Sequence, residues 1–209
     1  MATTYITLVN DTLRRLNEVT LDTAGDGFTT VRNVQGLVKD AINNSIRLII
    51  QDGQEYPFLK TTNTQTLTAA QRTYDFPTDM GTVDWDSVLL NKTSGLDNPP
   101  RPLRTITSND YLQNYRTQDD EGDQTNGVSK PLYVYQTLEE KFGVTPLTDA
   151  AYEVEYVYFT FPSDLTAHTD TMIIPDRFKH VVVDGAVMFV MRFRSNEQSA
   201  AMHQSNFEE

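Results

Sequence analysis

The segment from residue 173 to 193, IPDRFKHVVVDGAVMFVMRFR, most constrains what this chain can fold into. Its spacing predicts a helix that Pro175 starts, with Asp176 in the first turn. The first turns have one apolar side, but apolar residues occupy nearly every side from Gly185 to Phe193. A helix that is apolar all round must be buried on both sides. This segment therefore needs more covering surface than an ordinary amphipathic helix.

At about 100° per residue the helix has two opposed apolar surfaces. The surface predicted to face the protein's own core carries Phe178, Val182, Gly185, Phe189 and Phe193. Either the chain's own strands wrap the other surface, or an adjacent copy of the chain covers it. In the second case the candidate subunit-interface residues are Val183, Val187, Val190, Met191, Arg192 and Arg194. The two arginines either pair with acidic residues of the next subunit or interact with the helix dipole.

Two more helices are predicted near the N-terminus, antiparallel and joined by a short loop. In the first, the apolar residues that recur at spacings of three and four are Ile6, Val9, Leu13 and Leu16. In the second they are Val31, Val34, Val38, Ala41, Ile42, Ile46 and Ile49. Gly25 and Gly27 break the chain between the helices, and Thr29 or Thr30 is the expected cap of the second.

Between the helices the apolar pattern has period two, which predicts strands. The face of one such strand carries Tyr152, Val154, Tyr156 and Tyr158, and a hairpin is expected to turn near Glu139 and Glu140. The predicted fold class is α+β: a helical bundle, made of the N-terminal pair and the long C-terminal helix, with a central antiparallel β-rich region. The expected divisions are residues 1–60 for the helix pair, 61–172 for the β-rich region and 173–209 for the C-terminal helix.

The stretch TQDDEGDQTNGVSK is expected to form an exposed acidic loop. Exposed loops often carry the contacts that a protein makes with its partners. The candidate partner-contact residues in this loop are Asp119, Asp120, Glu121 and Asp123.

Charge and composition exclude several classes of protein. The formal net charge of −12 argues against a protein that grips nucleic acid over a wide surface, because phosphate binding depends on Lys and Arg. The chain has no cysteine, so disulfides and thiol catalysis are excluded. We find no secretory signal and no apolar run of the roughly 20 residues that a bilayer requires. The expected location is the cytoplasm or a particle assembled there, without membrane contact.

Nothing in the sequence resembles an active site. His180 shares one helix side with Asp176 and Asp184, which is the arrangement a metal-dependent hydrolase would need. A solvated polar stripe explains the same spacing better, since there is no second nearby histidine and no His-Glu-x-x-His motif. His168 and His203 are expected to be surface residues. We therefore predict no catalytic, cofactor-binding or metal-binding residue, and no enzyme.

The order of the segments resembles a specific family. A helical pair carrying LVNDTLRRLNEV and YPFL is followed by YDFPTDM, by a strand-rich middle with KFGVTP and YEVEYVYFTFP, and by IPDRFKHVVVDGAVMFVMRF. This order is similar to the tail adaptor or head-to-tail connector proteins of short-tailed bacteriophages, the tail tubular protein A family. The resemblance covers almost the whole chain and rests on aromatic-proline turns and helix patterns.

The resemblance implies a structural virion protein at the junction of head and tail. It implies a homo-oligomeric ring of twelve copies between the portal protein and the tail nozzle protein, with tail fibres as a further partner. DNA would pass through the channel of this ring during ejection without specific binding. A head-completion or neck protein of a longer-tailed phage is the alternative, and a metal-dependent hydrolase is a remote one. In a ring, one side of a helix can pack in the core of its own subunit while the other side packs against the neighbouring subunit.

Overall fold

A computed structural model describes residues 3–21, 27–52, 55–92, 99–121 and 127–208. Within these ranges the helices are α1 (Tyr5–Arg15), α2 (Val34–Gln51), α3 (Ser108–Asn114), α4 (Arg116–Glu121), α5 (Lys179–Phe193) and α6 (Glu197–Glu208). The strands are β1 (Lys60–Thr66), β2 (Thr73–Asp75), β3 (Met80–Leu90), β4 (Arg101–Pro102), β5 (Arg104–Thr105), β6 (Tyr133–Gln136), β7 (Lys141–Thr145) and β8 (Glu153–Thr160). The fold class is α+β, as predicted.

The chain divides into two compact units. The helical unit consists of Met1–Phe58 and Pro162–Glu209, and the β unit is the continuous segment Leu59–Phe161. In the described residues the helical unit contains α1, α2, α5 and α6, and the β unit contains all eight strands with α3 and α4.

Helix α1 follows the predicted apolar stripe. Ile6, Val9, Leu13 and Leu16 are all buried. The side chain of Asn10 is also buried and holds the chain that leaves the helix: its amide donates to Leu21 O at 3.0 Å and accepts from Leu21 N at 2.8 Å. The polar side chain is tolerated in the core because both of its hydrogen-bonding groups have partners.

Helix α2 begins later than its sequence predicts. It starts at Val34 rather than near Val31, and neither Thr29 nor Thr30 caps it. The N-cap is Asn33, whose backbone has a φ of 43° and whose side chain makes no capping hydrogen bond. Asparagine is among the few residues that adopt positive φ readily, so the chain changes direction at this position. From Val34 onward the apolar stripe is confirmed.

The C-terminal segment forms two helices rather than one. A short 3-10 turn, Asp176–Phe178, precedes α5, and the chain then reverses around Ser195, whose φ is 56°. Helix α6 follows, and the side chain of Asn196 accepts the Ser199 N–H at 3.2 Å, which satisfies a free donor in its first turn. The sequence contains no glycine or proline at this reversal, which is why a single helix was expected.

The β unit is built from two four-stranded sheets. Their strand orders are β1-β8-β3-β4 and β2-β7-β6-β5. Strand β8 has the predicted alternation, since Val154, Tyr156 and Tyr158 are buried on one face. The predicted hairpin is also confirmed: β6 and β7 are antiparallel and are joined through Glu139 and Glu140. One pair, β5 with β6, is parallel, which differs from the wholly antiparallel expectation.

Candidate functional site

Helix α5 is enclosed by the chain itself. Val183 and Val187 are each 1% exposed, and Val190 is fully buried. Of the two alternatives, cover by an adjacent copy is therefore wrong for these three residues, because their own chain buries them. These three residues are not available to a neighbouring copy while the helical unit is folded.

Gly185 identifies the elements that cover α5. A Cβ atom added to Gly185 would overlap Ser45 Oγ of α2 and would lie 2.7 Å from the Phe207 ring of α6. Ser45 Oγ also donates to Val182 O at 3.0 Å, which places the α2 backbone close to α5. Helix α6 is thus the covering element that the sequence analysis missed. The sequence does contain a signal for the buried side of α6, because Ala200, His203 and Phe207 recur at spacings of three and four residues.

The predicted core stripe of α5 is correct only in part. Val182 and Gly185 are buried and Phe189 is half-buried, but Phe178 is 39% exposed and Phe193 is 73% exposed. Phe178 lies in the 3-10 turn before the helix, where the residue spacing differs from that of an α-helix. Phe193 is the last residue of α5, where the chain turns away towards α6.

The remaining interface candidates lie at the C-terminal end of α5. Met191 is half-buried, whereas Arg192 and Arg194 are exposed. Arg192 Nη2 donates to Gln204 Oε1 at 2.8 Å, and Arg194 Nη2 pairs with Glu18 Oε1 at 2.5 Å. Both arginines therefore already have partners within their own chain, and their contact with a neighbouring subunit stays a prediction.

The acidic stripe of α5 does not form a metal site with His180. Asp184 is buried, and its Oδ1 atom accepts from Arg15 and lies 3.1 Å from His203 Nδ1. His180 is exposed, and Asp176 accepts a backbone N–H instead. Among the described residues, no group of three or more His, Cys, Asp and Glu side chains is placed to hold a metal ion.

His203 differs from its expectation as an isolated surface residue. Its side chain is 19% exposed and its ring contacts the buried carboxylate of Asp184. Since Arg15 belongs to α1, Asp184 to α5 and His203 to α6, one carboxylate links three helices. A buried carboxylate is stable in a core only when it has such partners.

The predicted acidic loop is partly helical and partly buried. Asp119 lies in α4 and is 2% exposed, so the expectation that it is an exposed loop residue is wrong. Asp120 and Glu121 are exposed, as predicted. Asp123 lies outside the described residues. A partner contact through Asp120 and Glu121 stays a prediction.

Asp119 connects α4 to the chain that follows β7. Its Oδ1 atom accepts the Leu147 N–H at 3.3 Å. The ring of Tyr111 stacks on that of Tyr135 with 3.9 Å between centroids. Burial raises the pKa of Asp119 above its ordinary value, although the hydrogen bond from Leu147 acts in the opposite direction. Asp119 therefore has a structural role.

Replacing Asp119 by asparagine is expected to change the pH dependence of stability. Because burial raises the pKa of Asp119 above 3.8, the folded protein holds this proton more tightly than the unfolded chain does. The resulting stabilisation is present at acid pH and is lost as the pH rises from below 3.8 through the folded pKa. Urea unfolding at a series of pH values measures this effect. As the pH rises over this range, the free energy of unfolding of wild type should fall relative to that of Asp119→Asn.

The matched control is Asp120→Asn, one residue away. Hydrogen bonds from Arg72 and then Arg116 lower the pKa of Asp120, so its stabilisation is present above the unfolded value and is lost as the pH falls. The two variants should therefore differ from wild type with opposite pH trends, and the Asp120 effect should be the smaller because this residue is exposed. Trends of the same sign would contradict the structural role of Asp119.

Several large apolar side chains of the described chain point into solvent. The most exposed are Leu138 at 90%, Val19 at 78%, Phe193 at 73% and Met202 at 61%. Single exposed apolar residues are ordinary on a monomer, and the most exposed of these lies on a tight turn between two strands. Leu138 is in that position, at the β6–β7 turn.

In the described part of the chain, no helix has both the length and the apolar character needed to cross a membrane.

No curated protein matches the chain. A family model described as SU10 adaptor protein matches residues 3–209. The adaptor character of the resemblance is thereby confirmed, whereas the tail tubular protein A assignment stays a prediction. The chain belongs to the SU10 adaptor protein family, and it is a structural phage adaptor associated with the virion.

Proposed function

We propose that this protein is a subunit of a closed ring that joins the portal to the tail nozzle and forms part of the DNA ejection channel. The observation that carries the proposal is the family match over residues 3–209, because it includes the helical unit and the β unit together. A ring of twelve identical subunits requires a head-to-tail contact in which two different surfaces of the chain meet.

The surfaces that form the ring must lie outside the buried sides of α5. Val183, Val187 and Val190 are covered by their own chain, so they give no support to a subunit junction. Exposed apolar side chains remain on both units, with Phe193 on the helical unit and Leu138 on the β unit. Contacts between subunits of an obligate ring bury apolar surface of this kind.

The charge of the chain is consistent with DNA passing through the ring. With a net charge of −12, each copy adds carboxylates that repel phosphate and few cations that hold it. A ring of such copies would let DNA slide without specific binding. The proposed protein partners are the portal and the nozzle, with tail fibres as a further contact.

Native mass spectrometry of the purified protein, alone and mixed with its portal, tests the ring. The expected species is a complex of about 284 kDa, which corresponds to twelve copies of the 23.7-kDa chain. A chain that stays monomeric at high concentration both alone and with portal would overturn the proposal. Image reconstruction of the particle vertex then distinguishes a ring below the portal from a neck protein elsewhere.

A further inference from the structure

The β6–β7 turn presents one apolar side chain in a fixed position. Leu138 is 90% exposed, the highest value among the large apolar side chains of the described residues. The turn beneath it is closed by hydrogen bonds: Thr137 N donates to Lys141 O at 2.8 Å, and Thr137 Oγ1 accepts from the N–H groups of Glu139 and Lys141. Because these bonds hold the backbone that carries Leu138, little further backbone freedom is lost when the turn binds.

The same turn carries two carboxylates without cationic partners. Glu139 and Glu140 are exposed, and neither forms an ion pair with a residue that the structure describes. We call the surface made by Leu138, Glu139 and Glu140 the turn knob. The turn knob is apolar at its centre and anionic at its rim. The surface complementary to it is an apolar recess bordered by cations.

A recess of that chemistry lies elsewhere on the same unit. It is a cleft of about 250 Å³. We call it the arginine cleft, and its lining residues are Arg101, Pro102, Arg104, Leu132 and Tyr133. Arg104 is exposed and has no ion-pair partner within the described ranges, and Leu132 is 43% exposed. Arg101 is fixed by donating from Nη2 to Pro131 O at 2.5 Å.

The turn knob and the arginine cleft lie at opposite ends of one strand. Strand β6 begins at Tyr133, which lines the cleft, and ends at Gln136, directly before the turn. At about 3.3 Å per residue, its four residues separate the two surfaces by roughly 13 Å. The two surfaces are different and occupy separate places on one chain, as a head-to-tail contact requires.

We propose that the turn knob of one copy inserts into the arginine cleft of the next copy. Leu138 would enter between Pro102 and Leu132, and the glutamates would pair with Arg104. This inference rests on the proposed ring and specifies its contact. The occupant is a second copy of the chain because both complementary surfaces are present on every copy.

Leu138→Ser tests the apolar part of the contact. Loss of a central buried side chain of this size is expected to weaken ring assembly by about tenfold or more in native mass spectrometry. The control is Leu112→Ser, which removes a leucine that is 45% exposed on α3 of the same unit and should leave assembly unchanged. Both positions are exposed, so circular dichroism should show wild-type folding for both.

Charge reversal tests the pairing itself. The double variant Glu139→Lys/Glu140→Lys and the single variant Arg104→Glu should each fail to assemble, because like charges then face each other. An equal mixture of the two should recover assembly, since each lysine knob then meets a glutamate cleft and each glutamate knob meets an arginine cleft. This recovery requires that both variants are folded.

The outcomes separate the contact from the ring. If wild type forms the ring and Leu138→Ser assembles normally, or if the mixture does not recover, the contact is wrong and the ring stands. If Leu138→Ser leaves the ring intact but blocks docking to portal or nozzle, the turn knob belongs to a different partner and the inference is overturned. If wild type never assembles, the ring and the contact both fail.

Discussion

The Val187→Asp variant is expected to unfold the helical unit in isolated subunits, rather than only to block assembly. Val187 is 1% exposed in the middle of α5. A carboxylate there would be buried without a cationic partner, which costs about 3–5 kcal/mol. A domain of ordinary stability has about 5–15 kcal/mol in total. Urea unfolding followed by far-UV circular dichroism should show most of the stability of the helical transition lost.

The matched control for this variant is Phe193→Asp on the same helix. Phe193 is 73% exposed, so the new carboxylate stays hydrated and the free energy of unfolding should change by no more than about 0.5 kcal/mol. The decisive contrary result is a Val187→Asp protein that unfolds like wild type but no longer forms a ring. That result would restore Val187 to a subunit junction and refute its burial within the chain.

Gly185→Ala is expected to destabilise the helical unit by about 1 kcal/mol, although alanine is the better helix former. The added methyl group would overlap Ser45 Oγ and approach the Phe207 ring, so α2 or α6 must move. Overpacking of a close contact costs about 1–3 kcal/mol, which exceeds the gain of about 1 kcal/mol from helix propensity. Chemical denaturation of the purified variant measures the net effect.

Gly36→Ala provides the matched control within α2. A Cβ atom at Gly36 would meet only Val31 Cγ1, at an ordinary contact distance of 3.8 Å. Helix propensity then acts without opposition, and a stabilisation of about 0.5 kcal/mol is expected. If both glycine variants are stabilised, α6 does not pack on α5 as closely as the structure has it.

The sequence correctly predicts the elements in which buried residues recur at one regular spacing. The stripe of α1, the alternation of β8 and the β6–β7 hairpin are all confirmed, because one side of each element faces a core formed by its own unit. In such elements local periodicity and tertiary packing agree. The family resemblance rests on the order of these same segments, and its adaptor character is confirmed at the family level.

The errors share a physical cause. In each case, a segment that is distant in the sequence determines whether the residue is buried. The second side of α5 seemed to need a partner because α6 is polar in composition and buries only a few positions, Ala200 among them. Asp119 seemed exposed because it lies in an acidic stretch, yet its carboxyl group accepts a hydrogen bond from Leu147, 28 positions along the chain. The Asp119 contact has no periodic signal in the sequence, and the signal for α6 is limited to the spacing of Ala200, His203 and Phe207.

The split of the helical unit into two chain segments has a consequence for how the protein is made. Helices α1 and α2 leave the ribosome before the β unit, and the whole β unit follows before α5 is synthesised. At usual translation rates the first pair waits on the order of ten seconds for its partner. The continuous β unit is able to fold during this delay, whereas the side of α5 that α6 covers stays open until α6 has emerged. Nascent chains should therefore depend on chaperones most in the interval after α5 has emerged and before α6 has.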